Sequence, residues 1–354
     1  MKILIDIGHP GHVHLFKNFA KKMHKKGHKT LFTCRQKEFE KELLQAEKFN
    51  FISFGKHFTT KIGKLWGLVK FNLVMLVTAL RFKPDLLLSH GSIYAAQVAW
   101  LIGKPHISME DSGNMEQIKL YKPFSKAILV PDVLPQNFGP KEIKYHAIHE
   151  LHYLHPNYYN PDKRIYDYLN ITEDTPFCIF RFVSWNATHD VGHKGFSTKE
   201  KSELINFLSS KMKIFITSEI NLPKEYSKYQ IKIPPEKMHD ALSFADIVIS
   251  EGATIAAEAG VLGTPTIYVN SIVRYYNEDQ EPYGLIFNYR NGSGVFEKVK
   301  EIIENNYKST IQQNKDAYIQ KKIDPTAFLV WFIENYPKSA IIMKENPDYQ
   351  YRFK

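Results

Sequence analysis

Ala245-Asp246-Ile247-Val248-Ile249-Ser250-Glu251-Gly252-Ala253-Thr254-Ile255-Ala256-Ala257-Glu258-Ala259 is the stretch on which the fold turns. Ile247-Val248-Ile249 is continuously apolar, the pattern of a strand buried on both faces. It stops at a glycine-containing turn, and small residues then open a helix. The first-turn amides of such a helix lack intrahelical partners and, with the helix dipole, can hold a phosphate. Ser250, Gly252, Ala253 and Thr254 are therefore the candidate phosphate contacts. Gly252 permits close approach of backbone to ligand, and the Thr254 hydroxyl adds a donor. Glu258 follows Thr254 by one helical turn, where a carboxylate can accept both hydroxyls of a ribose. The plainer alternative is an ordinary turn with Thr254 as the N-cap and Glu258 in water.

The same rhythm runs outward in both directions. Residues 3–7, 30–34, 85–89, 106–109 and 127–130 read as strands, with helices at 13–26 and 92–102. Residues 140–174 lose the rhythm and are rich in Tyr, His, Asn and Pro. It resumes with strands at 177–182 and 213–217, a helix at 199–209 and a strand at 266–269. The tail from 295 to 336 reads as helical, with Pro325 at a helix start. These units predict an α/β protein of two Rossmann-like parallel-sheet domains, residues 1–165 and 166–336, with a tail at 337–354. Two such sheets in tandem are expected to face a central cleft at the carboxyl ends of their strands.

A length of 354 residues agrees with two cores rather than one. Only Cys34 and Cys178 occur, which excludes a disulfide framework and suits a reducing, cytoplasmic setting. Met1 leads straight into the first strand, so no export segment is expected. The most apolar region, residues 65–80, is interrupted by Lys70 and Asn72 and falls short of the roughly 20 residues of a membrane span. The net charge of +10 suits phosphorylated small molecules or an anionic surface. No aromatic platform or recognition helix accompanies it, so nucleic acid is not an expected partner. Residues 56–83 intersperse Lys61, Lys64, Lys70, Arg81 and Lys83 with Trp66, Leu68, Val69 and Leu73. That pattern fits either a core-facing helix with its lysines in water or peripheral contact with the inner membrane face.

Three further turns carry polar chemistry. Gly8-His9-Pro10-Gly11-His12-Val13-His14 lies between the first strand and helix; Gly11 brings backbone amides near a ligand, and an imidazole suits general base work. Ser108-Met109-Glu110-Asp111 ends a strand, and its two acids can bind sugar hydroxyls or handle a proton. Residues 183–195 follow another strand, with Lys194 placed to neutralise a diphosphate beside His189 and His193. His9, His12 and His14 with Asp6 invite a metal reading, but Asp6 lies inside a strand and no metal is expected there. His149, His152 and His155 form another spaced set in irregular chain.

Ser250 to Val269 resembles the donor-binding core of GT-B proteins, which include the UDP-GlcNAc 2-epimerases and the MurG-type N-acetylglucosaminyltransferases. The chain as a whole resembles the DUF354 family of this type, over residues 1 to 336. The resemblance implies Glu258 at the ribose and Gly252 to Thr254 at the diphosphate of a nucleotide-sugar donor, with no separate cofactor and no bound metal. The Gly8 turn resembles Gly-Thr-Gly-Gly-His-Val of the MurG group, which places a base at His12. Glu110 matches a glutamate of both groups. Epimerases have His-Gly-Asp where this chain has His90-Gly91-Ser92, so an acid–base carboxylate is missing. The expectation is thus a glycosyltransferase using a UDP-linked sugar and a glycan or lipid-linked acceptor. An epimerase-like isomerase and a non-catalytic nucleotide-sugar binder are the alternatives.

Overall fold

The computed structural model describes residues 1–36, 38–56, 61–183, 195–218, 221–272 and 274–354. Among these, seven strands form the first sheet: β1 (Lys2–Ile7), β2 (Lys29–Gln36), β3 (Phe51–Lys56), β4 (Leu86–His90), β5 (His106–Met109), β6 (Ala127–Pro131) and β7 (Glu142–Tyr145). Their order is β3-β2-β1-β4-β5-β6-β7, and all pairs are parallel. The second sheet holds β8 (Phe177–Phe182), β9 (Lys213–Ser218), β10 (Ile247–Ser250), β11 (Thr266–Val269) and β12 (Ile286–Tyr289). It runs β12-β11-β10-β8-β9, again parallel throughout. Both are doubly wound sheets, whose strand order reverses at one point. That point lies between β1 and β4 in the first sheet and between β8 and β10 in the second.

Central strands of parallel sheets are covered on both faces and must be apolar throughout. The runs Ile3–Ile5 of β1, Leu86–Leu88 of β4 and Ala127–Val130 of β6 obey this, and so does β10, where Ile247, Val248 and Ile249 have no exposed surface. In the first unit, Leu4 and Leu87 pack with Phe71, Met75 and Ala79 of the helix Lys61–Phe82 and with Ala95 and Val98 of the helix Ile93–Leu101. In the second, Phe180, Phe182, Ile249 and Ile267 pack with Leu204 and Leu208.

The chain divides into Met1–Tyr153 with Lys322–Lys354, and Leu154–Lys321. This differs from the sequence expectation in two ways. The boundary falls at Tyr153 rather than near residue 165, and the last segment belongs to the first unit. The helix Pro325–Glu334 packs on the first helix of the chain, Pro10–Lys25. Thr326 Oγ1 donates to the carbonyl of His152 at 2.9 Å, and Asn18 Nδ2 donates to the same carbonyl at 3.0 Å. Residues 142–145, in the stretch that reads as irregular, form the edge strand β7.

Candidate active site

At the switch point of the first sheet, Asp6 leaves β1 almost fully buried and collects the cations and hydroxyls around it. Arg35 Nη1 reaches its two oxygens at 3.1 and 2.9 Å, Thr33 Oγ1 donates at 2.7 Å and Ser92 Oγ at 2.5 Å. Ser92 is also the N-cap of the helix Ile93–Leu101, accepting from the Ala95 amide at 3.1 Å. Asp6 is thus a paired structural carboxylate and no member of a histidine metal set.

The Gly8 turn is closed by its own histidines. His9 caps the helix Pro10–Lys25 by accepting the Gly11 amide on Nδ1 at 3.1 Å, which commits the Gly11 amide. His12 Nδ1 lies 3.2 Å from the Gly8 amide. An amide can only donate, so neutral His12 carries its proton on Nε2. Burial, then the neighbouring His90, holds its pKa well below the ordinary histidine value. His12 therefore offers a neutral N–H rather than a base, which departs from the role the resemblance gives it.

Glu110 is as fully occupied as Asp6. Its Oε1 accepts from the Ser112 amide, the Ser112 hydroxyl and the Gly113 amide at 2.7, 2.6 and 3.1 Å, and its Oε2 from Tyr121 at 2.6 Å. It shapes the turn. Asp111, the other of the two acids that the sequence reading offers, faces two histidines instead. Asp111 Oδ1 lies 2.9 Å from His90 Nε2, and Oδ2 lies 3.0 Å from His149 Nδ1. The His90 ring stacks on His12 with centroids 4.5 Å apart and meets His149 edge-on at 5.2 Å. Burial opposes charge on His90 and Asp111, but the attraction outweighs it: His90 is raised and Asp111 is held well below the usual carboxylate range. Gly91 holds this turn at φ +59, and a Cβ there would lie 3.2 Å from Gln117 Nε2 and 3.4 Å from Tyr121.

In the second unit, Gly252 is the N-cap of the helix Ala253–Leu262 and supplies no side-chain cap. Ser250 Oγ turns inward, accepting from the Gly252 amide at 3.0 Å and donating to the Gly252 carbonyl at 2.7 Å, so it shapes the turn. Ala253 is half-buried and Thr254 exposed on the first turn. A Cβ on Gly252 would meet Arg181 Cγ at 3.3 Å; the glycine makes room for an arginine beside the open helix end. Arg181 is the penultimate residue of β8, paired in register with Ser250, and donates to Thr217 at 3.2 Å. It lies within 177–182, a stretch that the sequence reading takes only as a strand. Lys194, His189 and His193 lie outside the described residues.

Glu258 is buried, with Oε1 3.0 Å from His239 Nε2, so the alternative of a solvated Glu258 behind a Thr254 cap does not hold. Glu251 is buried too. It is ion-paired with Lys201 at 3.0 Å and accepts the amides of Val183 and Phe196 at 3.0 and 2.9 Å.

Two doubly wound parallel sheets, each with a polar turn at its switch point, define a protein of GT-B-like fold. The chain belongs to the DUF354 family, described as a protein of unknown function, whose model matches residues 1–336. An uncharacterized protein of Methanocaldococcus jannaschii is 27% identical over 279 residues, covering 75% of this chain and 81% of that protein. The UDP-GlcNAc 2-epimerase of Neisseria meningitidis, solved with UDP-GlcNAc, superposes with a TM-score of 0.69 at 13% identity, covering 95% of this chain and 100% of that one. MurG of Acinetobacter baumannii superposes with a TM-score of 0.54 at 17% identity, covering 94% and 99%.

Proposed function

We propose that this chain is a glycosyltransferase that takes its sugar from a nucleotide diphosphate sugar, UDP-linked in the first instance. On the donor side, the uncapped end of the helix Ala253–Leu262 and Arg181 receive the diphosphate, with Thr254 adding a hydroxyl. Glu258 takes the ribose hydroxyls. Negative charge grows on the departing diphosphate in the transition state, so amides and a cation aimed there favour the reaction more than the ground state.

The similar structures include both an epimerase and a transferase, so the fold leaves the reaction open. One observation favours transfer. The carboxylates of Asp6 and Glu110 are each held by several internal donors, and position 92 carries a serine. Removing a carbon-bound proton and returning it on the other face needs an available carboxylate or its equivalent. Asp111 is held as well, with one oxygen on His90 and the other on His149, so this cluster offers a ligand the imidazoles of His12, His90 and His149, which suit orienting an acceptor hydroxyl.

Incubation with UDP-GlcNAc and no acceptor separates the readings. The expected result is no 2-epimer by NMR, and UDP release only when an acceptor fraction is added. Acceptor-free appearance of the 2-epimer overturns transfer; thermal protection by UDP-sugars without any product identifies a binding protein.

The proposal includes an acceptor presented at a membrane surface. The helix Lys61–Phe82 buries Phe71, Met75 and Ala79 but exposes Trp66, Val69, Leu73, Val77 and Leu80. Exposed Arg81 and Lys83 flank that stripe. Beside it lies an apolar groove of about 520 Å³ lined by Leu31, Ile52, Leu73, Val77 and Phe82. No described helix is long and apolar enough to cross a membrane, whereas this arrangement suits lying on an anionic one.

A further inference from the structure

We propose that His90, Asp111 and His149 bind a divalent ion of the zinc class. The three come from separate parts of the first unit: His90 ends β4, Asp111 follows β5 and His149 follows β7. One nitrogen or oxygen ligand atom from each lies within 4.8 Å of the others. Two imidazoles and one carboxylate are a common ligand set for such ions, which hold nitrogen and oxygen ligands at about 2.0–2.1 Å and so about 3.3 Å from one another. Contraction to that spacing asks only small side-chain movements, because both Asp111 oxygens already face the two rings.

The surroundings agree with a bound cation. His90 is wedged between His12 and His149, which fixes the plane of its ring. His149 is buried, and its Nε2 has no hydrogen-bond partner among the described residues, so no second hydrogen bond holds that ring against turning toward an ion. Glu110, the nearest other carboxylate in sequence, is fully taken up by Ser112, Gly113 and Tyr121 and leaves the ligand number at three. Three protein ligands leave a coordination position open for a water or a ligand oxygen, as at catalytic zinc sites.

The exchange balances simply. Two metal–nitrogen bonds and one metal–oxygen bond form as three waters leave the aquo ion, and on each ring the proton facing Asp111 passes to solvent from an imidazolium or to the other ring nitrogen of a neutral imidazole. The ion takes over the bridging role of those protons.

This inference concerns the cluster assigned above to the acceptor, but its test needs no sugar. Purified full-length protein is stripped with a chelator and titrated with Co2+, then with Zn2+ in competition. The expected result is one equivalent of Co2+ with the visible d–d absorption of a low-coordinate site, displaced by Zn2+. Asp111→Asn and His149→Gln, checked for folding by circular dichroism, should weaken Co2+ binding by more than about 100-fold. That exceeds the roughly 10–100-fold that loss of an outer hydrogen-bond partner costs. Absence of the absorption at stoichiometric Co2+, or its survival unchanged in His149→Gln, overturns the site. X-ray absorption of the wild-type Zn2+ form must show imidazole scattering, and its absence overturns the site even where a variant fails to fold. Co2+ absorption without sugar transfer sinks only the transferase reading. Transfer that persists in chelator with no Co2+ absorption sinks only the metal.

Discussion

The Ser92 hydroxyl donates to the buried Asp6 carboxylate at 2.5 Å, so the turn after β4 is built around a carboxylate that arrives from β1. A second carboxylate at position 92 would face the first, with Arg35 as their cation. Ser92→Asp is therefore expected to lower stability by about 3 kcal/mol or more, from like charges in a buried site. Ser92→Ala, losing a cap and one hydrogen bond, should cost about 1–2 kcal/mol. The swap Asp6→Ser with Ser92→Asp keeps one carboxylate near Arg35 and should recover much of the loss. Urea unfolding of the four proteins measures this, and a Ser92→Asp variant as stable as wild type contradicts the account of the turn.

Glu258 is held by His239 in the helix that opens at Gly252. If it also receives the ribose, Glu258→Gln should weaken UDP binding by about 1.5–3 kcal/mol, roughly 10- to 150-fold, the range for hydrogen bonds to a charged group. Isothermal titration with UDP and with the bare base uracil separates the ribose contribution: the loss should appear for UDP alone. Equal affinity of the two proteins for UDP removes Glu258 from the donor site.

His106 gives stability a pH dependence. Burial pushes its pKa down to about 3. Its Nε2 lies 2.9 Å from Ser89 Oγ and its Nδ1 2.8 Å from Ser125 Oγ. Ser125 Oγ gives its own hydrogen to the Tyr121 carbonyl, so it accepts from Nδ1, and Ser89 donates to Nε2. The unfolded chain binds this proton near pH 6.5 and the folded chain near 3, so the contribution is complete above 6.5 and is lost as pH falls toward 3. Unfolding free energy should drop by an amount on the order of a few kcal/mol across that window, less in His106→Gln. Urea denaturation at pH 7 and pH 5 reads the difference, and identical slopes in the two proteins refute it.

The exposed stripe on the helix Lys61–Phe82 predicts cosedimentation with anionic vesicles that weakens as salt rises. Trp66→Ser with Leu73→Ser should cost several-fold in partitioning while leaving unfolding little changed, since both side chains are already in water. Absence from the pellet at every salt concentration removes the membrane surface as a partner.

The central strands were legible because burial on both faces writes a continuous apolar run. The strands at 106–109, 177–182 and 266–269 lie where the sequence pattern puts them. The unread strands β3, β7 and β12 all stand at sheet edges. Edge strands pair on one side and alternate in exposure, as Glu142-Ile143-Lys144-Tyr145 does, so they carry no such run. The polar turns were found, but not which of their residues are available. Glu110 and Asp111 are adjacent acids with opposite fates, one sealed by backbone amides and the other turned to two histidines. His149 is separated from Asp111 by two strands, and only the parallel order of β5, β6 and β7 brings them together. Spacing along the chain holds no trace of that.

The return of Lys322–Lys354 to the first unit bears on how the molecule is made. On the ribosome, residues 1–153 emerge before residues 154–321, yet the face of the helix Pro10–Lys25 that receives the helix Pro325–Glu334 stays uncovered until that later helix appears. The unit encoded in the middle has its whole sequence earlier and can finish first. The unit that begins at residues 1–153 is thus completed after the unit inserted into it, and its apolar surface waits for its partner while residues 154–321 are made.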